Sequence, residues 1–121
     1  MASLIVVDDE SIVTDFLTFL LRGEGHTVHA ASNGKVALEL MALARPELIV
    51  TDLMMPVMSG LELARAVRQD GEFRDLPIIL CSGVQAPVSV EEQHLFTAIL
   101  RKPYPPATLV RFVAQLTSAV A

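Results

Sequence analysis

Four stretches of this 121-residue chain carry side chains suited to charged oxygen chemistry: Asp8-Asp9-Glu10, Asp52, Ser82-Gly83 and Lys102-Pro103-Tyr104. Each stands at the end of a short apolar segment. Brought together they would supply three carboxylates, one hydroxyl and one ammonium. Three carboxylates within several ångströms repel one another, and without compensation at least one pKa rises. A hard divalent cation removes that problem, and carboxylate oxygens suit Mg²⁺. Lys102 adds a mobile point charge that fits a phosphoryl group. Ser82 offers a hydroxyl donor, and Gly83 leaves room for close backbone approach. The set provides positioning, a metal and hydrogen-bond donors, which is what stabilisation of a transferring phosphate requires.

The segments that must position these groups are the apolar runs Leu4–Val7, Thr27–Ala30, Leu48–Thr51, Pro77–Cys81 and Ala98–Leu100. Three of them are nearly continuous in apolar character, as strands are when both sheet faces are covered. Segments with helical spacing lie between. The first, about Ser11 to Arg22, sets Val13, Phe16, Leu17 and Leu20 at i, i+3, i+4 and i+7 on one face. Gly23 and Gly25 stop it. Asn33 caps a second helix, roughly Gly34 to Ala44, and Pro46 marks its exit. A third runs from about Ser59 to Asp70. A fourth, short and polar, lies near Val88 to Phe96. A fifth, about Pro106 to Ala119, opens with proline in its first turn and carries Leu109, Phe112, Val113 and Leu116 as its buried stripe. Five strands and five helices in alternation predict βαβ units, right-handed crossovers and an α/β, doubly wound parallel sheet. In such sheets ligands bind outside the carboxyl ends of the strands, where all four polar clusters fall.

Composition narrows the function classes. Nine Lys+Arg against 14 Asp+Glu give a net charge of −5, and 52% of residues are apolar. That excludes disorder and suits one domain over residues 1–121. Neither half is strongly basic, so direct nucleic-acid binding is not expected. The single Cys81 excludes an internal disulfide and a four-cysteine zinc module, and reads as a buried core thiol. His26, His29 and His94 lack metal spacing. No apolar run approaches the roughly 20 residues of a membrane span, and Asp8, Asp9 and Glu10 interrupt the run a secretion signal needs. A cytoplasmic protein without membrane contact is expected.

The motifs Val6-Val7-Asp8-Asp9-Glu10, Asp52-Leu53-Met54-Met55-Pro56-Val57-Met58-Ser59-Gly60, Ser82-Gly83 and Lys102-Pro103-Tyr104 follow one another over essentially the whole chain. In this the chain resembles the receiver domain of bacterial two-component response regulators, including their single-domain chemotaxis-type members. The resemblance implies a flavodoxin-like fold with strand order 2-1-3-4-5. It makes Asp52 the phosphoacceptor, taking a phosphoryl group from a phosphohistidine on a sensor histidine kinase or histidine phosphotransfer protein. The protein would assist its own modification without being a turnover enzyme. Mg²⁺ would be ligated by Asp9, Asp52 and the backbone carbonyl of Met54, with Asp8 acting mostly through water. Lys102 would pair with Asp52 before phosphorylation and with the phosphoryl group after it. Ser82 would swing toward the phosphate as the switch. Pro56 and Gly60 would shape the loop after Asp52, and the Lys102–Pro103 bond would be cis. Output would reach a downstream protein through the face of the fourth helix, fifth strand and fifth helix, and a homodimer is left open. No output domain follows residue 121, so the chain is expected to bind partners, to pass phosphate on, or to be a piece of a larger kinase or regulator.

This sequence departs from the family pattern at several positions. Ile99 stands where many members carry Tyr or Phe, and its β-branched side chain has few χ1 options. Switching is then expected to rely on the Ser82 loop and the fourth helix. Tyr104 takes a place commonly held by Phe. The short stretch from Ser82 to Lys102, with Pro87 early in it, predicts a short or displaced fourth helix and a mobile connection. Met54 and Val84 give an attacking water no side-chain partner, which predicts slow dephosphorylation. Ile12 and Phe19, seven residues apart beside the buried stripe of the first helix, are either peripheral packing or an apolar docking spot for the donor's helices.

Taken singly, Asp8, Asp9 and Asp52 read as strand-end caps, Lys102 as a solvated lysine and Ser82 as a turn residue. Their joint placement favours the site. A degenerate receiver that binds partners without phosphorylation is disfavoured by the intact Asp52, Lys102 and acidic pair. A flavodoxin-type electron carrier needs a Ser/Thr/Gly phosphate loop where this chain has three acids. A Mg²⁺-dependent aspartyl phosphatase usually has a second acid where this chain has Met54.

Overall fold

The computed structural model describes residues 2–83 and 88–117. The elements alternate strictly: β1 (Ser3–Val7), α1 (Ser11–Gly23), β2 (Thr27–Ala31), α2 (Gly34–Ala44), β3 (Leu48–Asp52), α3 (Gly60–Gln69), β4 (Ile78–Ser82), α4 (Val90–Gln93), β5 (Ala98–Arg101) and α5 (Pro106–Thr117). All strand pairs are parallel, in the order β2-β1-β3-β4-β5. This is the doubly wound, flavodoxin-like sheet that the alternation and the resemblance led us to expect. The strand order reverses between β1 and β3, so that junction is where a ligand crevice opens. Among the described residues no helix is long and apolar enough to cross a membrane.

Pleat parity divides the core into two layers. Ile5, Val7, Ile49, Ile78 and Leu80 leave one face and pack with Ala37 and Met41 of α2 and Leu63, Ala64 and Val67 of α3. Leu4, Val6, Val50, Ile79, Cys81 and Leu100 leave the other and pack with Leu17 and Leu21 of α1 and Leu109 and Val113 of α5. Side-chain caps fix where the helices begin. Asn33 accepts from the Val36 N–H, and Ser59 forms a reciprocal capping box with Glu62.

Two elements differ from the sequence reading. The fourth helix is four residues, Val90–Gln93, rather than a run from Val88 to Phe96, and buries none of them. Its residues offer no apolar stripe, and one turn of helix gains little against its nucleation cost. Polar ties hold it instead: Arg65 of α3 meets Glu92 at 3.4 Å, and Arg68 Nε donates to the Leu95 carbonyl at 3.0 Å. The buried Phe96 then ends the connection. The mobile connection expected around Pro87, and Val84 with it, lie outside the described residues, as does the expected end of the fifth helix at Ala119. In α1 the buried residues are Thr14, Leu17 and Leu21, while Phe16, placed on the buried face by its spacing, is half exposed. Apolar side chains surround most of α1, so periodicity alone does not select the face that docks.

Candidate functional site

β1 and β3 pair in register from Leu4↔Leu48 to Val7↔Thr51. The next residues, Asp8 and Asp52, therefore leave the sheet side by side at its carboxyl edge, on the α1/α5 face. Asp9 follows at the turn into α1. Carboxylate oxygens of Asp8, Asp9 and Asp52 all lie within 4.8 Å of one another. Asp8 is buried, Asp52 half buried and Asp9 exposed, so the cluster meets solvent most at Asp9.

Lys102 approaches from the end of β5. Its backbone N–H donates to the Ser82 carbonyl at 2.8 Å. Its ammonium donates to Asp52 Oδ1 at 3.1 Å and stands 3.9 Å from Asp8 Oδ2. The Lys102–Pro103 peptide is cis.

The electrostatics follow from this crowding. Burial pushes the Asp8 carboxyl up to about 6. The Glu10 N–H on Asp8 Oδ1, at 2.9 Å, pulls the other way, while the neighbouring Asp52 charge adds to the rise. For Lys102, burial works against the ammonium, but the hydrogen bond and charge of Asp52, helped by Asp8, outweigh it and leave its pKa raised. Among the described residues, one ammonium thus meets Asp52 and Asp8 in a cluster of three carboxylates. Hard, anionic oxygens that are close together and short of counter-charge match the preference of Mg²⁺.

The loop after Asp52 is shaped by close approach. The Gly60 N–H donates to the Leu53 carbonyl at 2.8 Å, and a Cβ on Gly60 would overlap the Asp52 carbonyl oxygen. Glycine is required there for space, since any side chain would displace the backbone of Asp52. Between them Met58 N–H donates to Pro56 across Val57, whose φ is 70°. Met54, two residues after Asp52, is 68% exposed.

The remaining expected residues fall in different places. Ser82 ends β4 and is buried, and its backbone carbonyl makes the contact to Lys102. Ile99 packs partly buried against the α2/α3 layer. Ile12 and Phe19 stand outside the acidic cluster, on α1, at 76% and 80% exposure. Two features were not read from the sequence. Thr51 Oγ1 donates to the Asp52 carbonyl at 2.8 Å, and the Cys81 thiol donates to the Tyr104 phenol oxygen at 3.6 Å. Strand parity carried a signal for the second. Cys81 is the register partner of Asp52, so whatever follows Lys102 on that face meets it.

The response regulator receiver domain model matches residues 4–114. The chain belongs to this receiver domain family. Among solved structures, this receiver domain is similar to the chemotaxis response regulator CheY4 of Vibrio cholerae, with TM-score 0.86, 30% identity, and 96% of this chain and 98% of that one covered. It is also similar to response regulator TrrA of Thermotoga maritima in complex with Mg²⁺–BeF, with TM-score 0.86, 29% identity, and 96% and 99% covered. Among sequence relatives, the uncharacterised 14.6 kDa protein in the sodA1 3′ region of Leptolyngbya boryana is 37% identical over 117 residues, 93% of this chain and 87% of that protein. Response regulator MprA of Mycolicibacterium vanbaalenii is 42% identical over 77 residues, which are 64% of this receiver domain but 32% of MprA.

Proposed function

We propose that this receiver domain, over residues 1–121, is a phosphoacceptor switch in the cytoplasm. Asp52 takes a phosphoryl group from a phosphohistidine on a sensor histidine kinase or histidine phosphotransfer protein. One Asp52 carboxylate oxygen attacks phosphorus, the new O–P bond forms as the N–P bond breaks, and the electron pair stays on the ring nitrogen of the phosphohistidine, whose other ring nitrogen already carries a proton, so the imidazole leaves neutral. Asp9, Asp52 and the Met54 carbonyl would hold Mg²⁺, with Asp8 acting through water, and the ion would offset charge on the phosphoryl oxygens. This role draws support from the Mg²⁺–BeF complex of the similar TrrA. Lys102 exchanges its Asp52 partner for a phosphoryl oxygen, and the Ser82 hydroxyl turns toward the same group. With Ile99 in place of an aromatic, the new charge biases a two-state equilibrium through the Ser82 loop and α4. A downstream protein then reads the α4–β5–α5 face. Ile12 and Phe19 receive the helices of the phosphodonor.

The observation that carries this reading is the Lys102 ammonium on Asp52 within the three-carboxylate cluster. The test is incubation with acetyl phosphate and Mg²⁺ followed by intact mass. Wild type should gain one phosphoryl group, while Asp52→Asn and a chelator control should gain none. Absence of the adduct in wild type would leave a receiver that binds partners without phosphorylation.

A further inference from the structure

Asp52, Cys81 and Leu100 form one row across β3, β4 and β5, each the register partner of the next. Register partners in a parallel sheet project from the same face. The middle of the row, Cys81, is buried in the α1/α5 layer, and the Tyr104 ring packs partly buried against that layer. The Cys81 thiol donates to the Tyr104 phenol oxygen at 3.6 Å. Tyr104 lies two residues after Lys102, whose own N–H is bonded to the Ser82 carbonyl. The segment Lys102–Tyr104 is therefore tied at both ends to consecutive residues of β4, one tie by backbone and one by side chain.

A lysine ammonium on a flexible four-carbon stem does not choose its place unless its root is fixed. Arg101, the last residue of β5, pairs with Ser82, so strand pairing holds the chain only up to the root of Lys102. The second tie holds the chain two residues further on, beyond the cis Pro103. We propose that Cys81 and Tyr104 are a positioning pair for Lys102, holding its ammonium between Asp52 and Asp8. The inference rests on the phosphoacceptor reading above and adds two residues to its machinery. Burial pushes the Cys81 thiol up to about 11, so it stays protonated and able to donate to the phenol oxygen. Neither residue touches the reacting atoms.

The test compares Tyr104→Phe, which removes one oxygen and keeps the ring, with Cys81→Ala and the double variant. Three readouts are taken: the rate of phosphorylation by acetyl phosphate at saturating Mg²⁺, the Mg²⁺ affinity by calorimetry, and the ¹⁵Nζ resonance of Lys102 at fixed pH without donor. Each single variant should slow phosphorylation about two- to threefold, the scale of a weak thiol hydrogen bond lost at a positioning residue. The double variant should be no slower than the worse single variant, because both break the same bond. Mg²⁺ affinity should not fall, since the carboxylate ligands stay in place and a loosened ammonium competes less for Asp52. The Lys102 resonance should move toward the position of a free lysine. Unchanged rates, additive losses or an unmoved resonance overturn the proposal. A wild type that accepts no phosphate at Asp52 defeats the phosphoacceptor reading instead, and the Lys102 resonance still decides the positioning.

Discussion

The ammonium of Lys102 lies 3.1 Å from Asp52 Oδ1, although fifty residues separate the two in the chain. Parallel pairing of β3 with β4 and of β4 with β5 brings their strand ends to one edge. The same pairing lays Asp8 beside Asp52 through β1. The fold thus concentrates negative charge where a single cation partly offsets it. That imbalance is the physical source of several expected behaviours.

The first concerns Asp8. Burial lifts its pKa from 3.8 to about 6, so the folded protein holds this proton more tightly than the unfolded chain. Stability of the metal-free protein therefore falls as pH rises between about 4 and 6, and the cost is fully present above that window. Asp8→Asn should stabilise the metal-free protein at pH 7 by something on the order of 1–3 kcal/mol. Mg²⁺ should narrow the difference by stabilising the wild type. Thermal unfolding with and without Mg²⁺ checks both statements, and a less stable Asp8→Asn protein at pH 7 would contradict them.

Two glycines should respond differently to alanine. At Gly60 the added Cβ meets the Asp52 backbone, which has no room to yield. Gly60→Ala should cost at least about 2 kcal/mol and impair phosphorylation, because Asp52 itself is displaced. At Gly34 the Cβ meets the Met58 side chain, 2.7 Å from its Cγ. Rotation can clear the Met58 Cγ and Sδ, but the Met58 Cβ, 3.0 Å away, moves only with its backbone, so Gly34→Ala should cost about 1–2 kcal/mol, less than Gly60→Ala. Denaturant unfolding of the pair, with phosphorylation rates alongside, reads the contrast.

Ile12 separates docking from chemistry. It is 76% exposed on α1, outside the acidic cluster. Ile12→Glu should slow phosphotransfer from a histidine-bearing protein about tenfold, the loss expected of an apolar anchor. Its phosphorylation by acetyl phosphate should match wild type. Equal rates from the protein donor would make Ile12 a peripheral packing residue only.

Substitution of Met54 should change the lifetime of the modified state. Its exposed apolar side chain, two residues from Asp52, offers no hydrogen bond to an attacking water. Met54→Asn supplies one and should speed decay of the phosphorylated protein roughly two- to tenfold by orienting that water. A decay curve that overlays wild type would remove this residue from the account.

Much of this was legible in the residue order because the fold is written in repeated local signals. Each strand is a short apolar run, and Asn33 and Ser59 cap helices where their side chains can accept the first free N–H groups. The acidic cluster was legible because strand ends of a parallel sheet share one edge. What local pattern could not supply was orientation. Seven apolar residues wind around α1, so spacing placed Phe16 inward, whereas packing buries Thr14, Leu17 and Leu21. The length of α4 was overread because its one turn is held by Arg65 and Arg68 from α3, contacts that no local window contains. The Cys81–Tyr104 bond depends on strand register, a relation between distant segments.

The central claim is that the Asp52 carboxylate becomes an acyl phosphate, and borohydride trapping tests it most directly. An acyl phosphate is reduced to an alcohol, so peptide mass analysis after exposure to acetyl phosphate and borohydride marks the modified residue. The account predicts homoserine at position 52, formed with Mg²⁺ and absent with chelator. Reduction at Asp8 or Asp9, or none at all in protein that carries the phosphoryl mass, would contradict it.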